Sequence, residues 1–307
     1  MPHQTQPEKA VRGTRAISSS LLTELKYRIE YGTFRLLAWV ARALPLELGA
    51  DISAAGWRLV APRLKRHKRA LAHLAMAFPD MPAAERERIA RAMWDNLGRV
   101  FVEFFHLDDF VTSDRITFAD PNWQENYALP GSSGVVCAPH LGNWEVIVLA
   151  ANRLGLTPGG IYQRIKNPYV DAYVTKMRTP LYPGGLFAKG GVGARQLLRH
   201  TKNGGTAAVL ADLRGHREIS VPFFGHQAPT TSFPAVVART LDVPILIGAA
   251  VRSGKSRFKF ELELVPVART ADKDADIVTT SAAIQAAFER MVRKYPEQWM
   301  WSHRRWG

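Results

Sequence analysis

One short block of the sequence combines residue types that can activate a hydroxyl group. The block PHLGNWE, residues 139–145, directly follows the apolar run GVVCA at 134–138. His140 can serve as a general base, and Glu145, five positions later, can orient the imidazole and stabilise the imidazolium. Taken alone, the pair also fits a histidine bonded within a loop beside a surface glutamate. A metal site is less well supported because no second His or Cys stands at ligand spacing, so we expect neither a metal nor a cofactor.

The elements that must position these residues form a predicted α/β sheet. From about residue 115, short apolar strands alternate with amphipathic helices, which is typical of a central, mostly parallel sheet flanked by helices. The predicted strands are 134–138, 160–163, 206–211 and 244–251, and the predicted helices are 144–154, 168–178, 192–200, 233–241 and 277–295. Residues 257–265 alternate between polar and apolar, which predicts an antiparallel edge strand. Ligands bind beyond the carboxyl ends of such strands, where His140 and Asp212 are expected.

The first third of the chain has a different pattern. Residues 1–20 are polar, lack the apolar core of a signal peptide and predict a disordered tail. Residues 21–114 predict helices, and the apolar stretch within 34–48 is too short to span a membrane. That stretch fits either a helix packed on the core or an interfacial helix with Trp39 at headgroup level. The predicted organisation is therefore a tail (1–20), a helical region with an interfacial membrane helix (21–114) and an α/β core (115–307).

Charge and cysteine content narrow the function classes. The chain has 307 residues, with 41 Lys and Arg against 27 Asp and Glu, so its formal net charge is +14. This charge favours polyanionic partners: nucleic acid, phosphorylated metabolites or an anionic lipid surface. The basic run RLKRHKR at 63–69 fits a solvated face or a contact with lipid headgroups or an acidic protein. Cys137 is the only cysteine, which excludes an intramolecular disulfide and fits a reducing, cytosol-facing location.

Further motifs follow the His140 block in a fixed order. They are YQRIKNP at 162–168, KGG at 189–191, AD at 211–212, VPFFG at 221–225 and PEQWMW at 296–301. Together with the His140 block, they resemble the lysophospholipid acyltransferase superfamily, and most closely its bacterial branch of lipid A biosynthesis (late) acyltransferases. The resemblance extends from about residue 25 to the C-terminus.

The resemblance implies a glycerolipid acyltransferase-like fold at the cytoplasmic face of the bacterial inner membrane. The implied reaction moves an acyl chain from an acyl carrier protein thioester to a hydroxyl of a lipid A precursor or related phosphorylated lipid. His140 would be the base and Glu145 its orienting partner. Arg164, with Lys166 as an alternative, would face the acceptor phosphate, and Asp212 would also bind substrate. Arg164 stands one place later than the family's arginine, and Leu213 replaces the glutamine that usually follows Asp212.

Three other interpretations remain open at this point. The positive charge fits a nucleic-acid-binding protein, although no reading motif supports it and no nucleic acid partner is expected. The same His/Glu pair fits a hydrolase in which water replaces the lipid hydroxyl, but the sequence lacks a Gly-x-Ser-x-Gly elbow. Within acyl transfer, the acceptor can also be a lysophospholipid or an aminolipid.

Overall fold

The chain folds as an α/β protein with a helical N-terminal region. The computed structural model describes residues 8–129, 133–214 and 219–306. The helices are α1 (Glu8–Ala43), α2 (Leu46–Val60), α3 (Lys65–Ala77), α4 (Ala83–Glu103), α5 (Leu107–Val111), α6 (Trp123–Asn126), α7 (Val148–Arg153), α8 (Pro168–Arg178), α9 (Gly191–Lys202), α10 (Phe233–Leu241) and α11 (Lys273–Lys294). The strands are β1 (Ile116–Phe118), β2 (Gly134–Ala138), β3 (Pro158–Tyr162), β4 (Leu186–Ala188), β5 (Thr206–Leu210), β6 (Ile219–Phe223), β7 (His226–Thr230), β8 (Ile245–Gly254) and β9 (Arg257–Val265).

Seven strands form one sheet in the order β1-β9-β8-β2-β5-β3-β4, while β6 and β7 form a separate hairpin. Strands β8, β2, β5, β3 and β4 run parallel, and β9 runs antiparallel to β8. The central strand β2 is buried along its whole length, as its uninterrupted apolar sequence predicts for a parallel strand covered on both faces. The predicted fold class is therefore confirmed.

Several predicted elements need correction in detail. Strand β9 has the predicted bounds and direction but is not at the edge, because the three-residue strand β1 pairs with its outer side. The helix predicted from Trp144 begins only at Val148, after a turn. Helix α1 begins at Glu8, and residues 1–7 lie outside the described part, so the disordered tail over 1–20 stays a prediction. The sequence of α1 contains no proline, so nothing in its backbone interrupts the helical hydrogen bonds.

The N-terminal helices contribute to two hydrophobic clusters: α3 and α4 share one with Val135 and Cys137 of β2, and α1 and α2 share the other with Ala138 of β2 and Phe260 of β9. Helix α4 crosses α2 at close range, since a Cβ at Gly98 would lie 2.7 Å from the Cα of Ala54. Phe34 and Ala38 lie on the face of α1 that packs against the rest of the protein. At the start of α8, the Asn167 side chain donates a hydrogen bond to the Tyr27 carbonyl of α1. Within the described residues, no helix combines the length and the apolar character needed to cross a bilayer.

The aromatic C-terminal segment belongs to the core. Trp299, Trp301 and Trp306 are buried against Phe223 and Phe224 of the VPFFG motif. The indoles of Trp299 and Trp301 meet edge to face at 4.6 Å. Aromatic packing of this kind fixes the last residues of the chain against the sheet, directly beside the residues that follow β2 and β5.

Candidate active site

The register of two neighbouring strands brings His140 and Asp212 together. Ala138, the last residue of β2, pairs with Leu210, the last residue of β5. His140 and Asp212 each follow two residues later, so they leave the sheet side by side at its carboxyl edge. The Nδ1 atom of His140 lies 2.7 Å from Oδ1 of Asp212. Because Asp212 accepts the Nδ1 proton, the Nε2 atom of His140 is left with a free lone pair that can accept a proton.

The carboxylate of Asp212 is completely buried and fully hydrogen-bonded. Its Oδ2 atom accepts from the His140 backbone N–H at 2.7 Å and from the Trp299 indole N–H at 2.8 Å. Burial acts to raise the pKa of this carboxyl, but the charge of His140 and the hydrogen bonds from His140 and Trp299 outweigh it. The pKa of Asp212 falls to about 2 as a result. The carboxylate is thus ionised at neutral pH.

The backbone after His140 is fixed by main-chain bonds to two distant segments. Gly142 adopts φ +63°, and a Cβ there would lie 1.8 Å from the Ala250 carbonyl oxygen, so only glycine fits. The Gly142 N–H donates to the Gln298 carbonyl at 3.0 Å, and the His140 carbonyl accepts from the Met300 N–H at 3.1 Å. The PHLGNWE and PEQWMW motifs, far apart in sequence, are therefore one structural unit.

Glu145 makes a different contact from the one predicted. Its two carboxylate oxygens accept from Nε and Nη2 of Arg178, at 2.8 Å and 2.5 Å, so that it holds Arg178 instead of His140. Burial acts to lower the pKa of Arg178, but the charge of Glu145 and its hydrogen bonds outweigh this and raise that pKa. The physical reason for the difference is the turn at 144–147, which directs Glu145 toward the end of α8, while the end of β5 supplies Asp212 to the imidazole.

A buried ion pair between Glu103 and Arg252 contacts the turn that follows His140. Glu103, at the end of α4, is fully buried and accepts hydrogen bonds from both terminal nitrogens of Arg252 and from Ser256. The same carboxylate accepts from the Asn143 side chain at 2.9 Å. Through these hydrogen bonds, Glu103 of α4 and Arg252 of β8 together fix the position of Asn143, which lies between His140 and Glu145 in the sequence.

Replacing Glu103 with glutamine should destabilise the protein by about 3 kcal/mol or more, because it leaves the Arg252 charge without its buried partner. Chemical unfolding of the purified protein measures this loss. The matched control is Glu85→Gln, which breaks an exposed pair with Arg88 and should change stability very little. Equal stability losses in both variants would contradict a supporting role for the buried pair.

His140 opens onto a cavity of about 600 Å³ between the N-terminal helices and the sheet. The volume lies within the range that holds drug-sized or lipid-sized ligands. Most of the wall is apolar and comes from α4, α8, β3 and β5; it includes Leu97, Val100, Phe101, Phe104, Ile147, Val174 and Ala208. The polar side chains on the wall include His140, Glu145 and Arg178. An apolar hollow with a base at one side can hold an alkyl chain and expose its reactive end to that base.

The other predicted site residues lie elsewhere. Arg164 and Lys166 are exposed on the loop between β3 and α8, whereas their neighbours Gln163 and Ile165 line the cavity. Substrate binding by these two cations stays a prediction. The pKa of the buried Cys137 thiol is raised by burial alone, so this sulfur is not a nucleophile at neutral pH. Across the described ranges, no three His, Cys, Asp or Glu side chains converge in a way that could hold a metal ion.

Two contributors to the site were not identified from the sequence. Arg178 ends a predicted helix, where a basic residue is ordinary, and nothing in its spacing relates it to Glu145. Trp299 lay in a recognised motif but gave no indication of bonding Asp212. Both contacts join segments that are far apart in the chain, which local spacing does not report.

Comparison with known proteins adds one finding. The sequence model of the family described as bacterial lipid A biosynthesis acyltransferase matches residues 20–307. The matched region contains His140, Asp212, Arg178 and all the strands of the sheet. A search among curated proteins finds none that matches the chain.

Proposed function

The chain belongs to the bacterial lipid A biosynthesis acyltransferase family and is an acyltransferase, and from this premise we propose its donor, acceptor and catalytic residues. The donor is an acyl carrier protein thioester, and the acceptor is a hydroxyl of a lipid A precursor or a related phosphorylated lipid. The observation that carries this proposal is the His140–Asp212 pair, which opens onto an apolar cavity at the carboxyl edge of the sheet.

The proposed reaction is a direct transfer with His140 as general base. Nε2 of His140 takes the proton of the acceptor hydroxyl as its oxygen attacks the thioester carbonyl carbon. Asp212 holds the imidazole in the required tautomer and stabilises the imidazolium. As the tetrahedral intermediate collapses, the carbon–sulfur bond breaks and the imidazolium returns the proton to the departing thiolate. Asp212 thus takes the orienting role first assigned to Glu145, and no enzyme nucleophile is required.

Glu145 and Arg178 are proposed to form the second polar element of the reaction. Glu145 holds Nε and Nη2 of Arg178, while Nη1 has no hydrogen bond within the described part of the chain. A guanidinium fixed in this way on the cavity wall can stabilise negative charge that develops on the thioester oxygen. Its pairing with Glu145 also explains how the cation is tolerated among apolar side chains.

The product of the reaction tests the proposed function. Purified protein is incubated with acyl carrier protein thioesters of different chain length and with a phosphorylated glycolipid, a lysophospholipid or an aminolipid as acceptor. Mass spectrometry should detect an acylated lipid and free carrier thiol. Free fatty acid in place of acylated lipid would instead identify a hydrolase that uses the same base.

The outer face of α1 supports a peripheral attachment to the inner membrane. The helix buries one stripe against the protein, yet its opposite stripe carries exposed apolar side chains at helical spacing, among them Leu25, Ile29 and Leu36, which are 56%, 61% and 59% exposed. Arg28 and Arg35 flank this stripe and can contact lipid phosphates. Because α1 packs on α8, which forms part of the cavity wall, the lipid surface would lie near the cavity.

Replacing Leu25, Ile29 and Leu36 together with serine should weaken binding to anionic phospholipid vesicles by about a hundredfold or more, since three apolar side chains that would insert into the lipid are lost. Vesicle flotation measures the bound fraction. The matched control makes the same replacement with serine at Val192, Leu264 and Val278, which are exposed on α9, β9 and α11. This control should bind vesicles as the wild type does. Similar losses in both variants would argue against α1 as the membrane-facing helix.

A further inference from the structure

A second cavity, of about 580 Å³, lies beside the first and has the opposite character. Four arginines line it: Arg66, Arg69, Arg214 and Arg304, which we name the arginine basin. They come from three separate parts of the chain: the first turns of α3, the segment after β5 and the C-terminal segment. No carboxylate stands among the described residues that line the basin.

Within the described part of the chain, no carboxylate forms an ion pair with the arginines of the basin. Arg69 donates to the Ser302 carbonyl at 3.1 Å, and none of the four arginines pairs with a carboxylate anywhere in the described ranges. Other arginines near the site differ, because Arg178 and Arg252 each face a glutamate. Four like charges around one hollow repel one another, and an anionic ligand would remove that repulsion.

The arginine basin adjoins the cavity onto which His140 opens. Arg66 and Ser302 line both hollows. His303 forms part of the basin wall, and its ring centroid lies 5.4 Å from that of His140. Burial, followed by the charges of His140, Arg66 and Arg69, lowers the pKa of His303 to about 4, so this ring is neutral at pH 7 and adds no charge. A group bound in the basin would be close to a hydroxyl placed at His140.

We propose that the arginine basin binds a phosphate group of a substrate while the acceptor hydroxyl lies at His140. The planar guanidinium fork matches phosphate oxygens in pairs, and several forks around one hollow fit a tetrahedral anion. This assignment rests on the proposed acyl transfer and moves phosphate recognition away from the exposed loop cations Arg164 and Lys166. The phosphate can belong to the acceptor headgroup or to the pantetheine arm of the donor, and the kinetic test below separates these sources.

Binding and kinetics of one triple variant test the proposal. Arg66, Arg214 and Arg304 are replaced with glutamine, while Arg69 is kept because it bonds the backbone. The control variant replaces Arg195, Arg199 and Lys202 of the surface helix α9 and removes the same charge. Calorimetry compares dodecyl phosphate with the neutral dodecyl glucoside. The wild type and the control should prefer the phosphate, and the basin variant should lose at least about tenfold in affinity for it alone.

The kinetic test uses an acceptor lipid before and after phosphatase treatment. A higher KM of the basin variant for the phosphorylated acceptor only would assign the basin to the acceptor headgroup. A higher KM for the thioester with either acceptor would assign it to the donor arm. The proposal is overturned if the basin variant binds dodecyl phosphate as the control does. Binding does not require turnover, so a protein that failed to transfer acyl groups would still give a decisive result here.

Discussion

Replacing His140 with alanine should reduce acyl transfer by about 10²- to 10⁴-fold, the contribution of a general base held beside a reacting hydroxyl. The imidazole is the group in the cavity whose free nitrogen can accept the acceptor's proton, because its other nitrogen is committed to Asp212. The loss should fall on kcat, since the hydroxyl is bound in the same apolar hollow but is no longer deprotonated. Steady-state assays with a thioester donor and the preferred acceptor measure it.

A second substitution and a control separate chemistry from folding. His140→Gln preserves an N–H that can donate to Asp212 but offers no base, so it should be as inactive as the alanine variant and at least as stable. His226→Ala, at the exposed start of β7, removes a histidine that does not line the cavity and should be fully active. A folded glutamine variant with near-wild-type kcat would falsify the assignment of His140 as the base.

The sequence predicted the elements of this site better than their arrangement. The bounds of β2, α8, α10 and β9 match the prediction, because each has a clear period and a clear end, such as Asn167 before Pro168 at the start of α8. The hairpin strands β6 and β7 and the short strands β1 and β4 were not predicted. Three-residue strands contain too little pattern for period-based prediction.

The choice of carboxylate shows why the site itself was only partly predictable. Glu145 stands five residues from His140 and Asp212 stands 72 residues away, so proximity in the chain favoured the wrong contact. The deciding facts are that β5 lies next to β2 and that both strands end in register, which follows from long-range pairing and not from any local motif. The phenylalanines of VPFFG lie in the core, an environment that follows from their hydrophobicity and needs no knowledge of strand order.

Replacing Asp212 with asparagine should lower kcat by about 10³- to 10⁴-fold through the tautomer of His140. The His140 backbone N–H and the Trp299 indole N–H both point at Oδ2 and will select the amide oxygen for that position. The amide nitrogen then faces Nδ1 of His140 and donates to it. The proton of the neutral His140 imidazole must therefore lie on Nε2. In that tautomer Nε2 donates a hydrogen bond to the substrate hydroxyl and cannot accept its proton.

The pH profile distinguishes this variant from Glu145→Gln. Loss of the Asp212 charge should move the acid limb of kcat/KM to lower pH, because the imidazolium is no longer stabilised. The free energy of unfolding gives a second signature. The folded-state pKa of Asp212 is about 2, below the unfolded-state value of ~4. The ionised carboxylate therefore contributes its full stabilisation above pH ~4, and this contribution is lost as the pH falls through 2. The asparagine variant should lack this acid-dependent loss.

Glu145→Gln should also lower kcat, by about ten- to a hundredfold, but without moving the acid limb, because it releases Arg178 and leaves His140 paired with Asp212. The Arg178→Gln variant should match it, and the double variant should be no worse than either single one, since the two side chains act as a unit. If instead Glu145→Gln shifted the acid limb and Asp212→Asn did not, Glu145 would be the orienting carboxylate in the working enzyme, and the His140–Asp212 bond would be a resting contact that substrate binding replaces.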